Sequence, residues 1–140
     1  MRKILVVSHS ELARGFVAAM DLICGGAGKV DFINAYVDNT PLDAQLKAYF
    51  AGLKPEDESI VLTDLAFGSP NNECTAYIKT HGIKLISGIN LALLLAVVME
   101  DDSTAFSDEK INELIQEAKN GILYINRELT EKADTDDFDF

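Results

Sequence analysis

Short apolar runs and amphipathic segments alternate along the chain. Four runs have the character of strands buried on both faces, namely Ile4–Val7, Val30–Val37, Ser59–Thr63 and Ile83–Ile86. Between the first two runs, apolar residues recur every three or four positions, as along one face of a helix: Leu12, Phe16, Met20 and Ile23. Strands that alternate with helices predict an α/β fold in which helices cover both faces of a mostly parallel sheet.

Glycine and small polar residues mark the ends of the predicted helices. Gly25-Gly26 is placed to close the first helix, and Gly82 to close a third helix predicted over about 70–80. Asn90 and Ser107 can cap the N-termini of the two helices that follow. These signals predict short, ordered connections rather than long loops.

The residues after Gly121 leave the C-terminal structure open. Ile122–Ile125 could extend the last helix or form a last strand, and periodicity alone does not decide between them. The segment Lys132–Phe140 is acidic and is predicted to be disordered. We therefore expect one domain over residues 1–131, followed by a tail over 132–140.

Composition narrows the possible partners. The 140 residues carry a formal net charge of −11. This charge argues against a nucleic-acid binder, which needs a basic surface to displace counterions from phosphates, and against an anionic membrane surface. It is compatible with a protein partner that carries a basic patch.

The cysteines and the apolar runs predict a cytoplasmic protein without a metal or a cofactor. Cys24 and Cys74 form neither a Cys-x-x-Cys motif nor the spacing of a zinc site. The run Ile4–Val7 is too short for a signal-peptide core, and Ile89–Met99 is too short to span a bilayer. Neither a Walker A motif nor a Gly-x-Gly-x-x-Gly after the first strand is present, so nucleotide sites are not expected.

Polar or glycine-rich loops follow three of the predicted strands. Ser8-His9-Ser10-Glu11 follows the first strand, the loop 64–71 follows the third, and Ser87-Gly88-Ile89-Asn90 follows the fourth. In open α/β sheets, ligands bind in the crevice beyond the carboxyl ends of the strands. The candidate site is therefore expected at this edge.

His9 is the candidate nucleophile in these loops. It precedes the predicted start of a helix, where the dipole stabilises an attached anion such as a phosphoryl group. Asp64, at the end of the third strand, can accept a hydrogen bond from one ring nitrogen and leave the other free to attack. Taken alone, His9 is more simply explained as an ordinary loop histidine or helix cap, and Asp64 as a loop cap. His81, before Gly82, is expected to serve only a helix C-terminus.

The loop Gly68-Ser69-Pro70 is the candidate holder of the phosphoryl oxygens. Backbone N–H groups at Gly68 and the Ser69 hydroxyl could donate hydrogen bonds to these oxygens. Ser10, beside His9, is a third candidate for binding the phosphoryl group. The alternative is an ordinary helix start, with Ser69 as its cap and Pro70 as its first residue.

Together these segments resemble the IIA component of the mannose-type (mannose/fructose/sorbose) sugar phosphotransferase system. The resemblance rests on the segments 4–9, 63–72 and 87–91, in this order and spacing. It implies a flavodoxin-like domain that forms a homodimer, with the last strand, antiparallel, exchanged between subunits. This part of the resemblance favours a strand at Ile122–Ile125.

The resemblance also implies a function, that of a phosphotransferase acting in a phosphohistidine relay. His9 would take phosphate from phospho-HPr and pass it to a IIB component, associated in turn with a membrane permease. Asp64 matches the aspartate that orients the histidine, and Ser69 the serine of the phosphate loop. The chain departs from the usual pattern at Phe67 and Ser10, where the family commonly has glycine, and at Ala92, where it commonly has proline.

Two alternatives accompany this assignment. The phosphoryl-donor subunit of dihydroxyacetone kinase also has a Ser-His-Ser start like Ser8-His9-Ser10, but it lacks a loop like Gly68–Asn71. The second alternative is a regulatory or binding module of the same fold that transfers no phosphoryl group.

Overall fold

A four-stranded, all-parallel sheet forms the centre of the domain. The computed structural model describes residues 1–25 and 29–135, with side chains as far as Glu131. The strands are β1 (Arg2–His9), β2 (Val30–Ala35), β3 (Glu58–Thr63) and β4 (Lys84–Ser87). Their order in the sheet is β2-β1-β3-β4, so β1 lies between its two parallel neighbours.

Six helices flank or follow this sheet in the described part of the chain. They are α1 (Leu12–Cys24), α2 (Leu42–Ala51), α3 (Ser69–His81), α4 (Leu91–Met99), α5 (Asp108–Asn120) and α6 (Ile125–Thr135). The predicted three-layer α/β fold is confirmed. No helix among the described residues is long and apolar enough to cross a bilayer.

Two hydrophobic cores lie on opposite faces of the sheet. Ile4 and Val6 of β1 pack on one side with α1, α4 and α5. Leu5 and Val7 pack on the other side with α2 and α3. Since successive side chains of a strand point to opposite faces, both faces of β1 must be apolar, and this explains its unbroken apolar run.

The predicted helix ends agree with the structure at four positions. Gly25 and Gly82 adopt left-handed backbone conformations (φ 62° at each) and close α1 and α3. The Asn90 side chain accepts a hydrogen bond from the Leu93 N–H, and the Ser107 hydroxyl accepts one from the Lys110 N–H. Gly26 lies outside the described residues.

Strand boundaries differ slightly from the predictions. Strand β2 ends at Ala35 rather than Val37, because Tyr36 has a φ of 68°, which no strand accommodates. Strand β4 begins one residue later than Ile83 and ends at Ser87.

The C-terminal segment concerns two expectations drawn from the sequence. Residues 122–124 form neither helix nor strand, and Ile125 begins α6, so the residues that the structure describes in the single chain form no fifth strand. Helix α5 ends at Asn120 with Gly121 as its C-cap, and the four apolar side chains that follow lie exposed, so nothing in the single chain buries the faces of a strand there. Helix α6 continues past the predicted boundary at 131 to Thr135, supported by an ion pair between Arg127 and Glu131 one turn apart. Residues 136–140 of the predicted disordered tail lie outside the described residues.

Candidate functional site

His9 is the last residue of the central strand and faces the carboxyl edge of the sheet. Its side chain is 42% exposed, whereas that of Asp64 is 9% exposed. Asp64 follows directly after β3, and the pairing of Val7 with Thr63 places the two strand ends side by side. The structure therefore brings together two residues that are 55 positions apart in the sequence.

Asp64 holds His9 through a single carboxylate oxygen. Its Oδ2 accepts a hydrogen bond from the backbone N–H of His9 at 2.9 Å and lies 2.8 Å from the ring Nδ1. Its Oδ1 accepts a hydrogen bond from the Leu65 N–H at 3.0 Å. With the proton assigned to Nδ1, Nε2 keeps a free lone pair and can act as a nucleophile.

The electrostatics of Asp64 favour its ionised form. Burial by itself would raise the pKa of Asp64. The hydrogen bonds from the His9 backbone and ring, and then the one from Leu65, outweigh burial and hold the pKa below its usual value. Asp64 is therefore a carboxylate at neutral pH, able to stabilise positive charge on the imidazole.

The loop after β3 covers one side of the His9 ring. A Cβ added to Gly68 would lie 3.2 Å from Cε1 of His9 and 3.3 Å from the Leu65 carbonyl oxygen, so only glycine fits here without a shift. Ser69 is the first residue of α3, and Gly68 occupies the cap position. The prediction that Ser69 caps the helix is therefore wrong.

The Ser69 hydroxyl lies instead 2.6 Å from the Tyr36 hydroxyl, which donates to it. The Tyr36 ring is also near His9, with ring centroids 6.0 Å apart and planes inclined by 51°. Sequence reasoning missed Tyr36 because it was placed inside the second strand. A polar aromatic residue at a strand end was the signal that could have revealed it.

Three residues other than glycine have a positive φ in the described chain, and all three lie in loops after strands that meet at His9. They are Ser10 (φ 53°), Tyr36 (φ 68°) and Phe67 (φ 63°). Residues of these types seldom adopt this conformation, and such strain is concentrated at functional sites. The resemblance drawn from the sequence implies glycine at the positions of Ser10 and Phe67, and glycine adopts a positive φ without steric cost.

The remaining candidates take different places. The side chain of Ser10 is exposed beside His9, and its backbone N–H donates to the carbonyl of Ala35 at 2.9 Å. Phe67 is 88% exposed and forms, with Leu65, an apolar rim next to Gly68. His81 lies at the C-terminal end of α3, where its Nδ1 is 2.8 Å from the Thr80 hydroxyl.

No group of three histidine, cysteine or acidic side chains that could hold a metal occurs in the part of the chain that the structure describes. Both cysteines are free thiols, with Cys24 exposed and Cys74 buried.

The fold and the site at the carboxyl edge of the sheet define a class of small α/β proteins. In this class a half-exposed histidine, oriented by a carboxylate, ends a central strand. The chain belongs to the EIIA-man family, the PTS system fructose IIA component, whose family model matches residues 3–121. The resemblance inferred from the sequence is thus confirmed. Proteins of this family are phosphotransferase-type components of the sugar-transporting phosphotransferase system (PTS).

Solved structures agree with this assignment. A structure described as a phosphoenolpyruvate-dependent sugar phosphotransferase system permease from Klebsiella pneumoniae is 31% identical, with a TM-score of 0.82 over 91% of this chain and 93% of that one. Phosphotransferase system component EIIA from Streptococcus agalactiae is 28% identical, with a TM-score of 0.77 over 91% and 99%. The PTS IIA protein associated with the fucose utilization operon of Streptococcus pneumoniae is 25% identical, with a TM-score of 0.77 over 91% and 96%. No curated protein matches the chain.

Proposed function

We propose that this chain is a phosphocarrier in which Nε2 of His9 accepts a phosphoryl group from phospho-HPr and passes it to a IIB component. The observation that carries the proposal is the hydrogen bond between Asp64 Oδ2 and the ring Nδ1, on a histidine whose other side is open to solvent. A histidine that only served the fold would not need its nucleophilic nitrogen left free and exposed.

The chemistry requires positioning rather than a cofactor. As the phosphorus approaches, the lone pair of Nε2 forms a new N–P bond while the bond to the donor's nitrogen breaks in line with it. The ring then becomes positively charged, and the Asp64 carboxylate stabilises that charge across Nδ1–H. In the second step the N–P bond to His9 breaks as the acceptor's nucleophile attacks the phosphorus.

The phosphoryl oxygens are assigned to the loop beside the ring. The close approach of Gly68 brings backbone, rather than a side chain, to the ring edge. The Ser69 hydroxyl does not cap α3, so it is available as a donor, and Ser10, the residue after His9, is exposed. Hydrogen bonds from such donors to anionic oxygens are stronger than those between neutral groups.

The surface around His9 is suited to protein partners that dock briefly. Phe67 and Leu65 offer an exposed apolar rim, and the chain as a whole is strongly acidic. Donor and acceptor proteins with a basic surface around their own reactive group would be attracted, and added salt would slow their association.

The proposal includes a homodimer. The four apolar residues Ile122, Leu123, Tyr124 and Ile125 are all exposed in the single chain. Contiguous apolar residues of this kind mark an interaction surface. We assign this segment, numbered 122–125, to contacts with a second copy of the chain, through which the partner's residues 122–125 would extend the sheet.

The central test is intact mass spectrometry after incubation with phosphoenolpyruvate, enzyme I and HPr. We expect a gain of one phosphate that is labile to acid, absent from His9→Ala and retained in the control variant His81→Ala. Failure of the wild-type chain to gain phosphate, or a gain that persists in His9→Ala, would contradict the proposal. Addition of a IIB component should then remove the phosphate from His9.

A further inference from the structure

Tyr36 connects two elements of the site through its hydroxyl and its ring. It follows the last residue of β2, Ala35, which pairs with His9 in the sheet. From there its hydroxyl reaches the N-terminus of α3 and donates to the Ser69 hydroxyl at 2.6 Å. Its ring is tilted against that of His9, with centroids 6.0 Å apart.

The backbone at Tyr36 adopts a conformation that is unfavourable for a bulky side chain. Its φ is 68°, in the left-handed region that favours glycine. The side chain remains 55% exposed, so burial of the ring does not compensate for this conformation. Tyr36 therefore contributes little to the hydrophobic core, and its placement next to His9 and Ser69 calls for another explanation.

We propose that Tyr36 is a phosphoryl-binding residue whose hydroxyl donates a hydrogen bond to an oxygen of the phosphoryl group carried by His9. This inference rests on the proposed phosphocarrier function and adds to it a residue outside the segments that carry the family resemblance. In the unphosphorylated protein the Tyr36 hydroxyl donates to Ser69. On phosphorylation both hydroxyls turn their protons to the phosphoryl oxygens, and no covalent bond changes at either residue.

The exchange favours the phosphorylated state. A hydrogen bond between two neutral hydroxyls is replaced by bonds from the same hydroxyls to an anion, which are about twice as strong. The Asp64 carboxylate lies on the Nδ1 side of the ring and repels the incoming negative charge. Neutral donors such as Tyr36 and Ser69 offset that repulsion without an additional cation.

The test compares Tyr36→Phe with the wild-type chain in an equilibrium mixture with a limited pool of phospho-HPr. Phenylalanine keeps the ring and removes only the hydroxyl. We expect Tyr36→Phe to become phosphorylated on His9, but with an equilibrium constant for phosphate transfer from phospho-HPr lowered about 3- to 10-fold. This factor corresponds to the strength of one hydrogen bond to a charged group minus that of the neutral bond to Ser69 that it replaces. The ³¹P resonance of the phosphohistidine should also move in this variant, a change that a purely structural role of Tyr36 would not cause.

Tyr77→Phe is the matched control, because Tyr77 lies on α3 and stacks on Phe50, away from His9. It should leave both the equilibrium constant and the ³¹P resonance unchanged. Ser69→Ala should lower the constant as well, and the double variant should exceed the product of the two single effects, since each single substitution removes the same Tyr36–Ser69 hydrogen bond from the unphosphorylated state.

The outcomes separate the two proposals. If the wild-type chain is phosphorylated and Tyr36→Phe matches it in equilibrium constant and ³¹P resonance, the role of Tyr36 is overturned while the phosphocarrier function stands. If the wild-type chain takes up no phosphate, both proposals fall.

Discussion

One oxygen of Asp64, Oδ2, accepts hydrogen bonds from both the backbone N–H and the ring Nδ1 of His9, at 2.9 and 2.8 Å. The ring is thereby held against the main chain of its own strand as well as against the end of β3. Rotation of the ring away from its position would break one of these bonds and leave a largely buried carboxylate less satisfied. The geometry thus presents Nε2 in one direction before any partner arrives.

The Asp64→Asn variant tests this arrangement. An amide can still accept one hydrogen bond, but it carries no negative charge to stabilise the positive imidazole. We expect phosphorylation of His9 by phospho-HPr to slow about 10- to 100-fold, equivalent to about 1.4 to 2.7 kcal/mol. Rapid-quench measurement of the phosphorylation rate, with thermal unfolding to verify the fold, provides the readout.

Asp38→Asn is the control for this experiment. Asp38 is exposed in the turn after β2, where its Oδ1 accepts a hydrogen bond from the Thr40 N–H. The same chemical change there should leave the rate unaltered. A wild-type rate in Asp64→Asn would show that Asp64 does not orient or stabilise the histidine.

The Gly68→Ala variant tests the close approach of the loop to the ring. The added methyl group would lie 3.2 Å from His9 Cε1 and 3.3 Å from the Leu65 carbonyl oxygen, so the ring or the loop must move by a few tenths of an ångström. We expect phosphorylation to slow at least about threefold, equivalent to about 0.7 kcal/mol, because this shift loosens the hydrogen bond to Asp64. The rate is measured as for the previous variant.

Gly52→Ala provides the steric control. Gly52 ends α2 with a φ of −84°, and its added Cβ would meet the Tyr49 carbonyl oxygen at an ordinary 3.5 Å. This variant should keep the wild-type rate. Equal phosphorylation rates in Gly68→Ala and Gly52→Ala would mean that the packing of Gly68 against His9 does not affect phosphoryl transfer.

Glu58 joins three parts of the fold at the amino ends of the strands, opposite the edge that carries His9. Its carboxylate accepts hydrogen bonds from the Lys84 ammonium at 2.6 Å, the Phe106 N–H at 2.7 Å and the Arg2 guanidinium at 2.8 Å. Burial by itself would raise the pKa of Glu58, but these three bonds outweigh it and lower the pKa. The ionised form is therefore favoured in the folded chain.

The sign of this shift determines how stability depends on pH. A folded pKa below the unfolded value of about 4.3 means that the contribution of Glu58 is fully present above that value and is lost as the pH falls through the folded pKa. We expect Glu58→Gln to lower the free energy of unfolding by about 2 kcal/mol at pH 7, and by progressively less below about pH 4. Urea unfolding at several pH values measures both effects.

Glu113→Gln is the control for charge removal. Glu113 is 68% exposed, and its Oε2 lies 4.0 Å from the Lys110 ammonium. Exposed pairs of this kind contribute about 0.5 kcal/mol or less. A loss of stability in Glu58→Gln that does not diminish at low pH would contradict the assignment of its effect to the ionised carboxylate.

The segment 122–125 predicts how the proposed dimer can be disrupted. Leu123→Glu places a charge at a position that is 51% exposed in the single chain, where water can still solvate it, but the charge opposes burial of this segment against a second copy. We expect sedimentation velocity at micromolar concentration to show a dimer for the wild-type chain and a monomer for Leu123→Glu. Leu22→Glu, a change on exposed α1 residue Leu22, should remain dimeric. A monomeric wild-type chain, or a dimeric Leu123→Glu, would contradict the role of this segment.

The C-terminal region shows where prediction from the pattern reached its limit. Ile122–Ile125 is apolar at every position, and such a run is compatible with a buried helix or strand. The single chain leaves all four side chains exposed, with residues 122–124 irregular and Ile125 as the first residue of α6. Its final conformation depends on contacts that no periodicity within one chain can specify.

The sequence by itself determined the order of strands and helices as far as α5, the family, and the loops in which His9, Asp64 and Ser69 lie. These features are local: apolar periodicity, glycine at helix ends and short motifs act over a few neighbouring residues. The tertiary structure alone decided which of those loops touch. Parallel pairing of β1 with β3 places Asp64 on His9, and pairing of β1 with β2 brings Tyr36 to Ser69. Contacts between residues tens of positions apart depend on how the whole sheet assembles, and for that reason the contact of Tyr36 with Ser69 could be recognised only after the strands were in place.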